Sequence, residues 1–376
     1  MKTLLLGASH SDYPVAEIIK SCGHTLFTAG TYKNGLANVL SDFYYPVDYS
    51  HLDACIELVS ALRPDYVVPS ANDFSYLTVV RICEKLYPNR FDSYKVSKIL
   101  HYKDLFRLYC EEHSISSPRL YQVVRATTTH EVNPISFPCM VKSVDLTGGK
   151  GIALVANQDE LSLSIIQTLN LSPRKICVIE EYLPAATLFS LSSFYRNGEL
   201  EDCYLDQETL APNSFGVSSS TWPTTKQVDI KHIVDQLSYI CRDLTLKPGL
   251  VHAQIVESYG RLYIIEITRR LPGDLYSLPV QAALGIPHVQ NALSYWLPGV
   301  SVPELSLCTY LPGLDVSRLA SISRFQSYSA EQLSALQTGL CSSYDYVTAF
   351  VKGERLNSCS NDSDCKGVVF AASYLR

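Results

Sequence analysis

Residues 249–274, GLVHAQIVESYGRLYIIEITRRLPGD, decide how the rest of the chain is read. Val251, Ala253 and Ile255 alternate with His252 and Gln254, while Tyr263, Ile265 and Ile267 alternate with Glu266 and Thr268. Side chains point to opposite faces along a strand, so this spacing predicts two short strands, each with one apolar and one oxygen-bearing face. Ser258-Tyr259-Gly260 fits a three-residue hairpin loop with glycine in the left-handed third position. Such a loop places His252 opposite Glu266 and Gln254 opposite Ile264, with Thr268 on the same face. Oxygens from Gln, Glu and Thr, followed at once by Arg269 and Arg270, suit a hard cation beside an anion, as a magnesium–polyphosphate site requires. A half-solvated antiparallel sheet shows the same alternation, so the nucleotide must be sought elsewhere in the chain.

Upstream, Phe137-Pro138-Cys139-Met140-Val141-Lys142 ends a strand on a lysine, and Thr147-Gly148-Gly149-Lys150-Gly151-Ile152 follows. Adjacent glycines let backbone N–H groups approach an anion without Cβ obstruction. Lysine on the preceding strand adds a point charge from a rigid base. The loop does not fit the GxxxxGK[ST] phosphate-binding pattern, and a GG pair also makes ordinary turns. Ile176–Ile179 then leads into Glu180-Glu181-Tyr182-Leu183-Pro184, where backbone groups exposed at the proline suit the edge of an adenine. The alternative is two exposed glutamates that simply end a strand.

The first 90 residues alternate strands and helices: strands at 3–6, 24–28 and 66–69, and helices at 15–21, 52–62 and 74–86. This alternation predicts a parallel sheet with ligands at the carboxyl ends of its strands, where His10, Asn72 and Asp73 lie as candidate acceptor contacts. No GxGxxG follows the first strand, which excludes a dinucleotide fingerprint. Lys98–Glu112 reads as a helical stretch, and helices are expected near 160–169 and 230–244. Asn197-Gly198 marks a hairpin. Beyond residue 300, a helix at 330–337 and strands at 346–352 and 368–374 suggest a small appended α+β piece.

With 376 residues the chain suits two or three domains, and 47% hydrophobic with 18% charged residues is ordinary for a globular protein. A formal net charge of −6 without a basic cluster argues against nucleic acid or anionic membrane partners. MKTLLLGASHSDYP has too brief an apolar run for a signal peptide, and no stretch approaches the ~20 residues of a membrane span. The 12 cysteines are scattered without a CxxC pair, which reads as buried thiols of a cytoplasmic protein.

Lys103 lies 15 residues before Pro118, and after it come the strand lysine, glycine loop, EEYL hinge and polar hairpin. In this order and spacing, over roughly residues 1–300, the chain resembles the ATP-grasp superfamily, and within it the carboxylate–amine (amino-acid) ligases. The resemblance implies an α/β architecture. An N-terminal parallel βαβ substrate domain (1–95) precedes a two-subdomain α+β ATP-grasp fold (96–300, lid about 119–184) and the small extension (301–376).

It implies ATP and Mg2+ as cofactors. Lys103 and Lys142 would contact phosphates or adenine, and Gly148, Gly149, Lys150 and Gly151 would close over the phosphates. Glu180 and Leu183 would meet the adenine through their backbones, and Glu181 or its neighbour Tyr182 would approach the ribose. Gln254 and Glu266 would ligate magnesium, with Thr268 as a third candidate, and Arg270 would stabilise the transferred phosphoryl group. His252 would contact substrate or move a proton, or else serve structurally against Glu266. Gln254 stands where a carboxylate is usual, Thr268 where asparagine is usual, and Ala185 and Thr187 replace a glycine and the ribose glutamate.

The implied reaction is phosphorylation of a small carboxylic acid, an amino acid or sugar acid, to an acyl-phosphate that an amine then attacks. Small-molecule substrates are the expected partners, and a homodimer is expected on base rate. The substituted positions keep two other readings open: a nucleotide-binding protein without ligase activity, and a phosphotransferase.

Overall fold

The computed structural model describes residues 1–31, 33, 35–127, 135–184, 187–210, 215–221, 228–273, 276–277 and 286–300, and the strand backbones of 319–323, 346–351, 354–355 and 367–374. The N-terminal unit is a parallel sheet of β1 (Lys2–Leu6), β2 (Thr25–Ala29), β3 (Phe43–Tyr45) and β4 (Tyr66–Pro69), in the order β3-β2-β1-β4. Helices α1 (Tyr13–Ser21), α2 (Leu52–Leu62) and α3 (Asp73–Leu86) connect these strands. Leu4, Leu5, Val67 and Val68 have no more than 1% of their surface exposed, as expected when helices cover both faces of a parallel sheet.

Buried Asp12 ties the carboxyl ends of β1 and β4 together, accepting from Ser9 N, Ser70 Oγ and Ala71 N at 2.6–3.0 Å. Asn72 caps α3, its side chain accepting from Phe74 N at 2.9 Å and Ser75 N at 3.4 Å. The cap takes Asn72 away from the acceptor contact expected of it and leaves Asp73 as the first helical residue.

The expected single helix at 98–112 is two helices, α4 (Tyr94–His101) and α5 (Lys103–Glu112). Tyr102 between them is extended (φ −100°, ψ 121°), with the Arg174 guanidinium 4.0 Å over its ring. Lys103 therefore starts a helix instead of lying within one.

A second sheet, ordered β5-β8-β6-β7, contains β5 (Leu120–Arg125), β6 (Cys139–Ser143), β7 (Ile152–Val155) and β8 (Ile176–Glu181). Helix α6 (Gln158–Leu171) covers it, with Leu161 and Ile165 packed on Val124, Val141, Val155 and Ile179.

The large antiparallel sheet begins with β9 (Thr187–Arg196), β10 (Glu199–Leu210) and β11 (Val217–Thr221). After α7 (Lys231–Asp243) come β12 (Gly249–Ser258) and β13 (Arg261–Thr268), and then α8 (His288–Ser294). Strands β14 (Leu319–Ser323), β15 (Tyr346–Val351), β16 (Glu354–Arg355) and β17 (Gly367–Tyr374) extend the order to β13-β12-β9-β10-β11-β14-β17-β15-β16. The C-terminal strands thus continue this sheet; the helix expected at 330–337 lies outside the described residues. One face of the sheet packs Phe189, Leu191, Val251, Ala253, Ile255, Ile264 and Ile267 against Ile233, Leu237, Ile240 and Cys241 of α7. These four helix positions recur at helical spacing and form its apolar stripe.

The hairpin of β12 and β13 differs from its expected register. Ser258 pairs with Arg261, so the turn has two residues, Tyr259 (φ 49°) and Gly260 (φ 73°), as in a type I′ hairpin. Pairing then slips between Gln254 and Ile255, leaving Ile265 as the extra residue of a bulge. In consequence Ile264 and Ile267 enter the core, in place of the Tyr263, Ile265 and Ile267 set read from strict alternation.

Candidate active site

The bulge sets the polar row. Gln254 pairs with Glu266, and His252 with Thr268, where sequence spacing had placed Ile264 and Glu266 respectively. On the other side of β12, Gln254 faces Ser190 and His252 faces Ser192; these in turn face Asp206 and Tyr204 on β10. Directly paired residues share a face, so two rows of four polar side chains cross the sheet. His252 Nδ1 lies 2.7 Å from Ser192 Oγ, and its ring meets Tyr276 edge-on at 5.1 Å. The direct pairing with Glu266 expected from spacing is replaced by pairing with Thr268, because Glu266 stands opposite Gln254.

Lys103, Glu266, Thr268 and Arg270 line one cavity, together with Asp73, His101, Asp145, Leu146 and Thr147. Lys103 Nζ donates to Leu146 O at 3.0 Å and lies 3.4 Å from Glu266 Oε2. Arg270 forms a fork on Asp73, with Nε to Oδ1 at 3.0 Å and Nη2 to Oδ2 at 2.8 Å. His101 Nδ1 lies 2.7 Å from the same Oδ1. Burial alone pushes the Asp73 carboxyl up, but the charges of Arg270 and His101 outweigh it and hold the group well below the usual carboxylate range. Arg269 points the other way, fully into the body. It donates to Asp92 Oδ2 at 3.0 Å, Leu250 O at 2.7 Å and Lys247 O at 2.5 Å, fixing the end of β13 to the start of β12.

Lys142, on β6, forms an ion pair with Glu180 Oε1 on the adjacent β8 at 2.5 Å, and Arg107 Nε donates to Glu180 Oε2 at 2.8 Å. Glu180 is fully buried, which corrects the alternative of an exposed strand end. Burial opposes its ionisation, yet Arg107 and Lys142 bring its carboxyl down to about 2. Burial lowers the Lys142 ammonium against the pull of Glu180, and the Arg107 charge adds to that lowering. Glu181, expected near the ribose, accepts from Arg119 N at 3.3 Å, and Tyr182 and Leu183 follow it half-buried. Pro184 O accepts from Ser258 Oγ at 2.9 Å, so the hinge meets the hairpin near its turn.

Gly148, Gly149 and Gly151 have φ of 65°, 75° and 65°, the left-handed region that favours glycine. A Cβ on Gly149 would stand 2.8 Å from the backbone of Phe215 and Gly216, so this loop crosses onto the large sheet's β10–β11 connection. Lys150 is exposed. The side chain of His10 and all of Ala185 lie outside the described residues.

These groups suit a magnesium nucleotide. Gly149 and Gly151 leave no room for a Cβ, two buried lysines stand on β6 and α5, and paired Gln254 and Glu266 oxygens suit a hard cation. Arg107, Asp73 and His101 were missed as neighbours of the predicted residues. Arg107 was detectable, since it follows Lys103 by four positions and shares its helix face. The fork of Arg270 on Asp73 spans 197 residues and has no local signal.

A four-stranded sheet and a large antiparallel sheet meeting at such a cavity, behind a parallel βαβ unit, are the arrangement of the ATP-grasp fold, and the chain has that fold. It resembles the carboxylate–amine ligases of that superfamily. The family described as carbamoyl-phosphate synthase L chain, ATP binding domain, matches residues 112–186, which hold the strand lysine, glycine loop and hinge. Formate-dependent phosphoribosylglycinamide formyltransferase of Nitratiruptor sp. is 22% identical over 165 residues, 44% of this chain and 42% of that protein. The same enzyme of Prochlorococcus marinus subsp. pastoris is 26% identical over 186 residues, 48% of this chain and 47% of its own. The match thus spans less than half the length of these curated relatives. Among solved structures, N5-carboxyaminoimidazole synthetase from Staphylococcus aureus complexed with ADP superposes with a TM-score of 0.70 at 15% identity, covering 99% of this chain and 93% of that one. L-amino acid ligase from Bacillus licheniformis gives 0.69 at 15% identity, covering 100% and 94%. Among the described residues, no helix is long and apolar enough to cross a membrane.

Proposed function

We propose that the chain is an ATP-dependent, ADP-forming carboxylate–amine ligase acting on a small carboxylic acid, an amino acid or sugar acid. The observation that carries this reading is the meeting of Lys103, Glu266, Thr268 and Arg270 in one cavity beside the segment that enters the glycine loop. The relatives with the same fold include an L-amino acid ligase, which supports the substrate class.

Bound magnesium and ATP supply the transferable phosphoryl group and part of its charge neutralisation. Gln254, Glu266 and Thr268 would hold the metal. Lys103 and Lys142 would hold phosphates, and Gly148, Gly149, Lys150 and Gly151 would cover them and exclude water. The backbones of Glu180 and Leu183 would meet adenine, with Glu181 or Tyr182 near the ribose. The acid's carboxylate oxygen attacks the γ-phosphorus and ADP leaves, while Arg270 offsets the charge of the transferring group. The amine nitrogen then attacks the acyl carbon, the C–N bond forms, and phosphate departs with the carboxylate oxygen. His252 stands two residues from Gln254 on the same face, where its imidazole would take the proton the nitrogen loses.

In this reading residues 1–95 form the substrate domain, 96–300 the grasp with its lid at about 119–184, and 301–376 an extension. Scattered thiols, unbridged among the described residues, favour a cytoplasmic setting, and a homodimer is supported by a structurally similar biotin carboxylase domain described as a dimer.

Incubation with ATP, magnesium and pools of acids and amines tests the proposal, with mass spectrometry of the product. Amine-dependent ADP release with a new amide is the expected result. A second reading, a nucleotide binder that no longer ligates, draws on Gln254 and Thr268 in place of a carboxylate and an asparagine. Tight ATP binding without ADP release from any pool would favour it, and ADP release independent of amine would favour a phosphotransferase.

A further inference from the structure

Lys103 is tied to three parts of the cavity at once. Its backbone N–H donates to Val144 O at 3.1 Å, its ammonium donates to Leu146 O at 3.0 Å, and the same ammonium stands 3.4 Å from Glu266 Oε2. The first two partners lie between β6 and the glycine loop, and the third is the carboxylate paired with Gln254. The Lys103 side chain is 9% exposed and Glu266 35%, so a well-held cation reaches an open carboxylate. Thr268 and Gln254 are neutral, which makes Glu266 the only anionic member of the expected metal set.

We propose that Lys103 is the built-in counter-ion of Glu266 in the nucleotide-free protein, so that a divalent metal enters this site only together with the nucleotide's phosphates. The proposal rests on reading the cavity as the nucleotide site. A dication arriving alone meets two neutral oxygens and a carboxylate already neutralised, with an ammonium a few ångströms away that repels it. Hard cations bind through negatively charged oxygens, and the one carboxylate of the expected metal set is opposed by Lys103. A polyphosphate changes both sides of the exchange. It offers the ammonium several anionic oxygens, which releases Glu266, and it brings anionic ligands for the metal. Arg270 does not take part, because its fork is engaged by Asp73. Metal and nucleotide binding are then positively coupled, and by linkage each raises the affinity of the other by the same factor.

The test uses Mn2+ as a paramagnetic probe, titrated by electron paramagnetic resonance with and without the non-hydrolysable analogue AMP-PNP. In Lys103→Met, nucleotide-free Mn2+ binding should tighten at least about fivefold over the unaltered protein, and the coupling factor with AMP-PNP should fall by a similar amount. Lys103→Arg, which keeps the charge, should leave nucleotide-free Mn2+ binding weak. Adding Glu266→Gln to Lys103→Met should remove the gain. Lys103→Gln serves equally if the methionine variant folds poorly. A folded Lys103→Met whose nucleotide-free Mn2+ affinity is unchanged or weaker, while the unaltered protein binds Mn2+ with AMP-PNP, overturns the proposal and leaves the nucleotide site standing. No binding of AMP-PNP with Mn2+ by the unaltered protein overturns both.

Discussion

Arg270 grips Asp73 with two parallel hydrogen bonds, at 3.0 and 2.8 Å, joining the end of the β12–β13 hairpin to the first turn of α3. Such a planar fork fixes the guanidinium in direction as well as position. Whatever Arg270 does at the cavity, it does from an orientation set by the N-terminal unit.

Arg270→Ala should lower ADP formation by about 10²–10³-fold with little change in ATP affinity, the loss typical of one transition-state donor. It also removes the guanidinium from the mostly buried Asp73 carboxylate, which keeps only His101, so stability should drop by about 1–3 kcal/mol. Arg270→Ala combined with Asp73→Asn should recover most of that stability and none of the turnover. Urea unfolding alongside ADP release separates the two effects, and recovered turnover in the double variant would contradict the assignment.

Glu266→Gln should abolish ADP formation with the fold intact. The measurement is ADP release at saturating ATP and magnesium, beside a circular dichroism spectrum. Turnover at the level of the unaltered protein would remove Glu266 from the metal set.

The glycine loop carries its own test, because Lys150 is exposed within it. Trypsin should cut after Lys150 in the free protein, and ATP with magnesium should slow that cut. Gly149→Ala should weaken the protection, since its methyl would press on the Phe215–Gly216 backbone at 2.8 Å and also sit at a positive φ. Equal cleavage with and without ATP would count against closure of the loop.

His288 is buried without exposure, and burial pushes its imidazole down to about 3. Its neutral form is the folded one. The stability it contributes is therefore full above the unfolded value near 6.5 and is lost as pH falls from there toward about 3. Unfolding free energy should drop by roughly 1 kcal/mol between pH 7.5 and 5.5 on this account. His288→Gln should flatten that slope; an unchanged slope would assign it to other groups.

Much of this architecture was legible in local patterns. Helix 52–62 and strand 66–69 fall where their spacing put them, and the Asn197-Gly198 turn closes its hairpin between Arg196 and Glu199. The site was legible as residue types: Lys103, Glu266, Thr268 and Arg270 do share a cavity. Their partners were not. Strict alternation cannot announce a bulge, and the two-residue turn together with the extra Ile265 displaced the pairing of Gln254 and His252 by two residues. Glu180 looked like a solvated strand end because its two cations come from Arg107 on a helix and Lys142 on another strand. Asp73 was legible as an acceptor contact but not as the partner of Arg270, because the two lie 197 residues apart.

Neighbouring Arg269 and Arg270 reach Asp92 and Asp73 in opposite directions, one into the body and one into the cavity. For anyone exchanging substrate specificity by recombination, this sets a compatibility rule. A donor N-terminal segment must bring an acid to each of these two places, or the graft will leave two mismatched guanidinium groups at the end of β13.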